Sequence, residues 1–173
     1  MKQTLFSLLF FLSVYSTHSQ NRLDVFDIAR NGTVAEVNYL LKSNPNAFKQ
    51  LNKDGFSPLL LACYRGNNAV AKLLIETGCN INEKSSMGTP LMAAVVKGNR
   101  EIVEYLLLKS ANVNLTDDNG TTPLMYAVMF KNRELVMLLL EKNADKTLLD
   151  QKGKSAFEYA VFTGNQDIIN LLK

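Results

Sequence analysis

Apolar residues fall along this chain in short clusters of two helical turns or so, and the clusters come in pairs. The second member of each pair has helical spacing: Ile102, Val103, Leu106 and Leu107 recur on one face, while Arg100, Glu101 and Glu104 lie on the other. The first member opens on a start signal. Ser57-Pro58, Thr89-Pro90 and Thr122-Pro123 place a hydroxyl where it can accept from an unpaired backbone N–H, and Pro where its missing N–H costs nothing. Gly66, Gly98 and Gly164 then stop that helix at a position suited to positive φ. Asn67, Asn99, Asn132 and Asn165 follow as candidate caps for the second helix. The pattern predicts turn, helix, short turn, helix.

The pairs repeat. Pro58-Leu59-Leu60-Leu61-Ala62, Pro90-Leu91-Met92-Ala93-Ala94 and Pro123-Leu124-Met125-Tyr126-Ala127 superpose, and the Ala position recurs at Ala29, Ala62, Ala94, Ala127 and Ala160, about 33 residues apart. Leu40-Leu41, Leu73-Leu74, Leu106-Leu107, Leu138-Leu139 and Leu171-Leu172 keep the same period. Helices this short do not persist alone, so the units must stack to bury a continuous core. The expected fold is an all-α solenoid of about five helix-turn-helix units, over approximately 22–51, 52–84, 85–116, 117–149 and 150–173.

Residues 1–19 break the pattern. Met1-Lys2, the apolar run Leu5 to Val14, and the polar stretch after it have the three-part plan of a signal peptide, with a cut expected between Ser19 and Gln20. The run is about half the length needed to cross about 30 Å of hydrocarbon, which argues against a stable membrane anchor. A periplasmic or secreted domain over 20–173 is the expectation.

Composition then narrows the chemistry. A formal net charge of +3 is far short of the dense basic stripe that nucleic-acid binding needs. Two Cys and one His cannot furnish a zinc site of the multi-Cys/His kind, and that His, at position 18, would leave with the signal peptide. No phosphate-cradling loop, metalloprotease motif or nucleophile elbow is present, so no cofactor and no catalysis are expected. Asp117-Asp118 read as solvated neighbours on a turn. Cys63 and Cys79 read as small buried packing residues; a bridge requires their Cα atoms to lie within about 7 Å. Asn31, Asn114 and Asn119 begin glycosylation acceptor patterns, but the latter two fall where Asn serves turn geometry.

These units resemble the ankyrin repeat. The best start reads Asp117-Asp118-Asn119-Gly120-Thr121-Thr122-Pro123-Leu124, and the best tails read Gly78-Cys79-Asn80-Ile81-Asn82 and Ser110-Ala111-Asn112-Val113-Asn114. Four departures stand out. Leu60, Met92, Met125 and Glu158 replace the family's usual His, which implies softer coupling between units. The third turn, Ser86-Met87-Gly88-Thr89, is one residue short; Lys131 stands where Gly is usual; and the first unit lacks the Thr-Pro start and reads as a cap.

The resemblance implies a non-catalytic protein-binding module whose hairpin tips and first helices form a concave recognition face; the chain itself is expected to be monomeric. Carried over by register, that face takes Phe56 and Met87 from the tips, with Tyr64, Arg65, Val96, Lys97, Met129, Phe130 and Phe162 from the first helices. Aromatic, Met and Arg side chains are what protein-binding hot spots use. An inhibitor or immunity-type accessory of an exported enzyme is the alternative. Mass spectrometry of the N-terminus of exported material checks the compartment: Gln20 should come first, and a retained Met1 overturns the cleavage.

Overall fold

The computed structural model describes residues 24–173, so the expected signal peptide, residues 1–19, lies outside the described residues. Five helix pairs follow one another: α1 (Val25–Asn31) with α2 (Val34–Ser43), α3 (Pro58–Arg65) with α4 (Asn68–Glu76), α5 (Pro90–Lys97) with α6 (Arg100–Leu108), α7 (Pro123–Met129) with α8 (Arg133–Glu141), and α9 (Ala156–Thr163) with α10 (Gln166–Leu172). The first helices of successive pairs pack on one another as an inner layer, and the second helices form an outer layer. This is the expected all-α solenoid.

Each inner helix starts where its cap is. The hydroxyls of Ser57, Thr89 and Thr122 accept from the N–H groups of Leu60, Met92 and Met125, with Pro at the first helical position. Ser155 has no following Pro, and a reciprocal pair with Glu158 does the same work. Asn99, Asn132 and Asn165 cap the outer helices as expected. Asn67 does not. Its side-chain amide instead donates to the Gly32 carbonyl at 2.9 Å, satisfying an acceptor at the end of α1 and tying the first unit to the second.

Gly66, Gly98 and Gly164 end their helices in the left-handed region at φ of 77°, 71° and 66°. In the fourth unit α7 ends one residue earlier, and Lys131 takes the same turn at φ 55°. Ser110 and Asn143 likewise stand at φ 65° and 61°, where the second unit has Gly78 at 79°. The strain at a residue with a Cβ is modest but real.

The core runs as a column along the stack. Ala29, Ala62, Ala94, Ala127 and Ala160 are all fully buried, which lets neighbouring inner helices approach closely, and Leu74, Leu106 and Leu139 fill the space toward the outer layer. At the usual His positions the structure differs from unit to unit. Met125 Sδ accepts from the Thr122 N–H at 3.5 Å and the Glu158 carboxylate from the Ser155 N–H at 2.8 Å, whereas Leu60 and Met92 are simply buried.

Bonds between units arise elsewhere. Asn82 accepts from the Asn112 N–H at 2.9 Å, and Asn114 from the Asp145 N–H at 2.8 Å, so the Asn114 side chain already has a structural task. On the outer layer Lys72 pairs with Glu101 and Lys109 with Glu76, each at 2.7 Å, and Arg100 with Glu134 at 3.3 Å. The Tyr105 hydroxyl donates to Glu76 while Lys72 and Lys109 lie over its ring at 5.3 and 5.6 Å.

Relief of the left-handed strain should be measurable. Lys131→Gly and Ser110→Gly should each raise stability by about 0.5–1 kcal/mol in urea denaturation, while Asn143→Gly changes little because Asn tolerates this region.

Candidate functional site

The concave face begins at the hairpin tips, and each tip is held by its first residue. Asn52, Asp117 and Asp150 accept with Oδ1 from the backbone N–H two and four residues on, at 2.8–3.0 Å. The tips then close by an N–H to carbonyl bond from Asn52 to Phe56, Asp117 to Thr121 and Asp150 to Lys154. In the third unit Ser85 holds this place, accepting from the Met87 N–H at 3.2 Å, and its own N–H closes on Gly88 at 3.0 Å. A residue is missing between Gly88 and the Thr89 cap, as the short turn implied. Gly88 sits at φ 93°, and a Cβ there would collide with Met92 Sδ.

Asp117 corrects the sequence reading. It is not solvated: only 3% exposed, it accepts from Asn119, from Thr121 and, at 2.7 Å, from the Tyr126 hydroxyl. Burial pushes its carboxyl up, but the bonds from Tyr126, Thr121 and Asn119 win and hold it below the usual carboxylate value. The Tyr126 hydroxyl is pushed up to about 12 by burial and by the bond to Asp117. Asp150 and Tyr159 repeat the pair one unit on, and the bond from Tyr159 holds the Asp150 carboxyl low. Asp118 is exposed and pairs loosely with Lys84 at 3.8 Å. The signal for these tip residues was in the sequence: Asn52, Ser85, Asp117 and Asp150 share the repeat period, and so do Tyr126 and Tyr159.

Between the second and fourth units the face opens into a groove of about 380 Å³. Phe56, Tyr64, Met87, Val96 and Phe130 line it, with Leu60, Leu61, Ala93 and Tyr126 as floor and ends and Ser86, Asp117 and Asn119 at the tips. Two subtractions in the third unit make it. The residue its tip lacks would stand in register between Phe56 and Thr121. In the inner helix, Ala93 holds the place that Leu61, Tyr126 and Tyr159 hold in the neighbouring units. A short finger and a small side chain leave a gap, and the larger neighbours become its walls.

The expected site residues therefore separate. Phe56, Tyr64, Met87, Val96 and Phe130 come together in the groove. Arg65 and Lys97 are exposed, each next in sequence to a wall residue. Met129, at the register of Tyr64 and Val96, is partly buried and packs against the core instead of lining the groove. Phe162 is 84% exposed but outside the groove, with Lys154 Nζ 5.7 Å from its ring centre. Sequence register missed the floor: nothing marked Ala93 or Tyr126 as part of a surface.

Both cysteines are free and buried. Cys79 Sγ donates to the Phe48 carbonyl at 3.4 Å, and burial pushes the Cys63 thiol up to about 12, far from a reactive thiolate. Among the described residues, no three His, Cys, Asp or Glu side chains gather to hold a metal ion, and no helix is long and apolar enough to cross a membrane.

Comparison with known proteins agrees with this geometry. The family described as ankyrin repeats (3 copies) matches residues 25–117 and 106–173. Among individual proteins, the chain is similar to the scaffold protein ILK of Homo sapiens, Mus musculus and Cavia porcellus, 39% identical over 59 residues. That stretch covers 34% of this chain and 13% of each relative.

The buried carboxylate has a consequence for acid stability. A carboxyl held low contributes fully above its ordinary value, here 3.8, and that contribution is lost as pH falls through the folded-state value. Asp117→Asn should cost about 1–3 kcal/mol at neutral pH and leave a shallower fall in urea stability between about pH 5 and pH 2 than the unsubstituted chain shows.

Proposed function

This chain belongs to the ankyrin-repeat family, and on that premise we propose that it is an exported, non-catalytic module that holds a partner protein on its concave face, with the third-unit groove as the energetic centre. Ankyrin repeats are protein-interaction modules, and the relatives of similar sequence carry the word scaffold in their names. The finer reading rests on one observation. Five of the side chains expected on the recognition face converge on one apolar concavity, while on the outer face Lys72, Arg100 and Lys109 pair with carboxylates. Apolar anchors in a concave pocket, rimmed by polar groups, are how interfaces concentrate their energy. At about 380 Å³ the groove is at the small end of ligand pockets and suits one or two bulky side chains of a partner. Export is supported by the plan of residues 1–19.

Filling the groove tests the reading better than emptying it. Ala93→Leu gives the third unit the side chain that the second already has at that register, so the fold should be kept while the gap closes. With a photo-cross-linker at Met87, proteins of the native compartment should be captured and then lost on Ala93→Leu. A cross-linker at Glu134 on the outer face should capture none of them. Identical capture from both faces, or capture indifferent to Ala93→Leu, overturns the proposal.

A further inference from the structure

The groove walls carry a second pattern, in charge. Three wall residues at the ends of the inner helices are each followed directly by a cation: Tyr64 by Arg65, Val96 by Lys97 and Phe130 by Lys131. All three cations are exposed, and none is in an ion pair among the described residues. The Lys97 stem lies over the turn that ends α3, its Cε 3.9 Å from where a Gly66 Cβ would be.

In the outer layer Lys72, Arg100 and Lys109 are matched to carboxylates of their own or a neighbouring unit, while Arg133 and Lys142 at the ends of α8 are exposed and in no ion pair among the described residues. The acids closest to the groove offer little compensation. Asp117 is consumed by its tip and Tyr126, Asp118 pairs loosely with Lys84, and Asp54, exposed on the second tip, is a single carboxylate against the three cations. In the fourth unit Phe130 occupies the register that Arg65 and Lys97 hold, and the cation appears one residue later, in the left-handed position that favours Gly. A positive charge is thus present beside the groove even where the backbone disfavours any side chain.

We propose that the segment received by this groove is an acidic peptide of the partner protein, with one bulky apolar side chain seated among Phe56, Tyr64 and Phe130 and flanking carboxylates meeting Arg65, Lys97 and Lys131. It rests on the concave-face reading above and specifies the partner's chemistry. Arg65 can engage a carboxylate in a two-point bond, and the two lysines add less directional charge. Surface charges of this kind choose among partners and accelerate encounter more than they tighten the final complex.

Fluorescence anisotropy with the full mature chain and labelled synthetic peptides tests it. The probes are one Phe flanked on both sides by Glu, the same peptide with Gln or Lys flanks, and the Glu peptide with Ala for Phe. The Glu-flanked Phe peptide should bind about tenfold tighter than the Gln-flanked one and weaken as salt rises from about 0.05 M to about 0.5 M. The Lys-flanked and Ala peptides should bind weakest. Arg65→Ala, Lys97→Ala and Lys131→Gly combined should erase the Glu-over-Gln preference while the Gln peptide still binds and thermal unfolding shows no loss of fold. Equal binding of Glu and Gln peptides overturns the acidic partner but leaves the groove standing, provided Ala93→Leu still abolishes both. Absence of all peptide binding while Met87 cross-links persist overturns it likewise. So does displacement of the Glu peptide by a single-stranded oligonucleotide at equal charge concentration, which would make the cations a general polyanion site.

Discussion

The structure depends on contact between inner helices that are too short to exist singly. Each has about two turns, and what it lacks in internal bonds it recovers by lying against the helix before and after it. The fully buried alanine column makes that contact possible. A larger side chain there would hold the helices apart and open the leucine layer behind them to water. Caps, left-handed turns and tip bonds all serve to begin and end helices at the places where this column stays in register.

Because the column tolerates so little, variation is displaced outward. The hinge of each tip is conserved in kind while its occupant changes between Asn, Ser and Asp, since each can accept from the backbone two residues on. The usual His position is filled four times by three different residue types, with a bond to the cap in two units and none in the other two. Between units the bonds run instead through the asparagine side chains and the outer ion pairs. Such exposed pairs are individually weak, but they join units that a local substitution would otherwise loosen.

Most of this scaffold was legible from the chain. Ser-Pro and Thr-Pro dipeptides, Gly at the helix ends and the returning alanine leave few alternatives, because each has a single stereochemical use at that spacing. The surface was legible only in part. Tyr64, Val96 and Phe130 could be placed on the concave face by register, but Met129, at the register of Tyr64 and Val96, could not be told from them, since its packing against the core leaves no mark in the sequence. Asp117 was misread since nothing local announces that Tyr126, nine residues on, returns to bond it. The groove itself is a difference between units: Ala93 and the short tip mean nothing until set beside Leu61, Tyr126 and the longer tips on either side.

The fingers are not equally fastened. The fourth and fifth are welded together, the Gln151 N–H donating to the Asn119 carbonyl at 2.9 Å and its side-chain amide to the Asp118 carbonyl at 2.6 Å, with Gly120 pressed against the Asp150 backbone. The third reaches its neighbour through the loose Lys84–Asp118 pair. One wall of the cleft, the fourth finger, is therefore braced by the fifth, whereas the second finger on the opposite wall has no hydrogen bond to the third among the described residues, so a guest that wedges in meets a fastened side and an unfastened one.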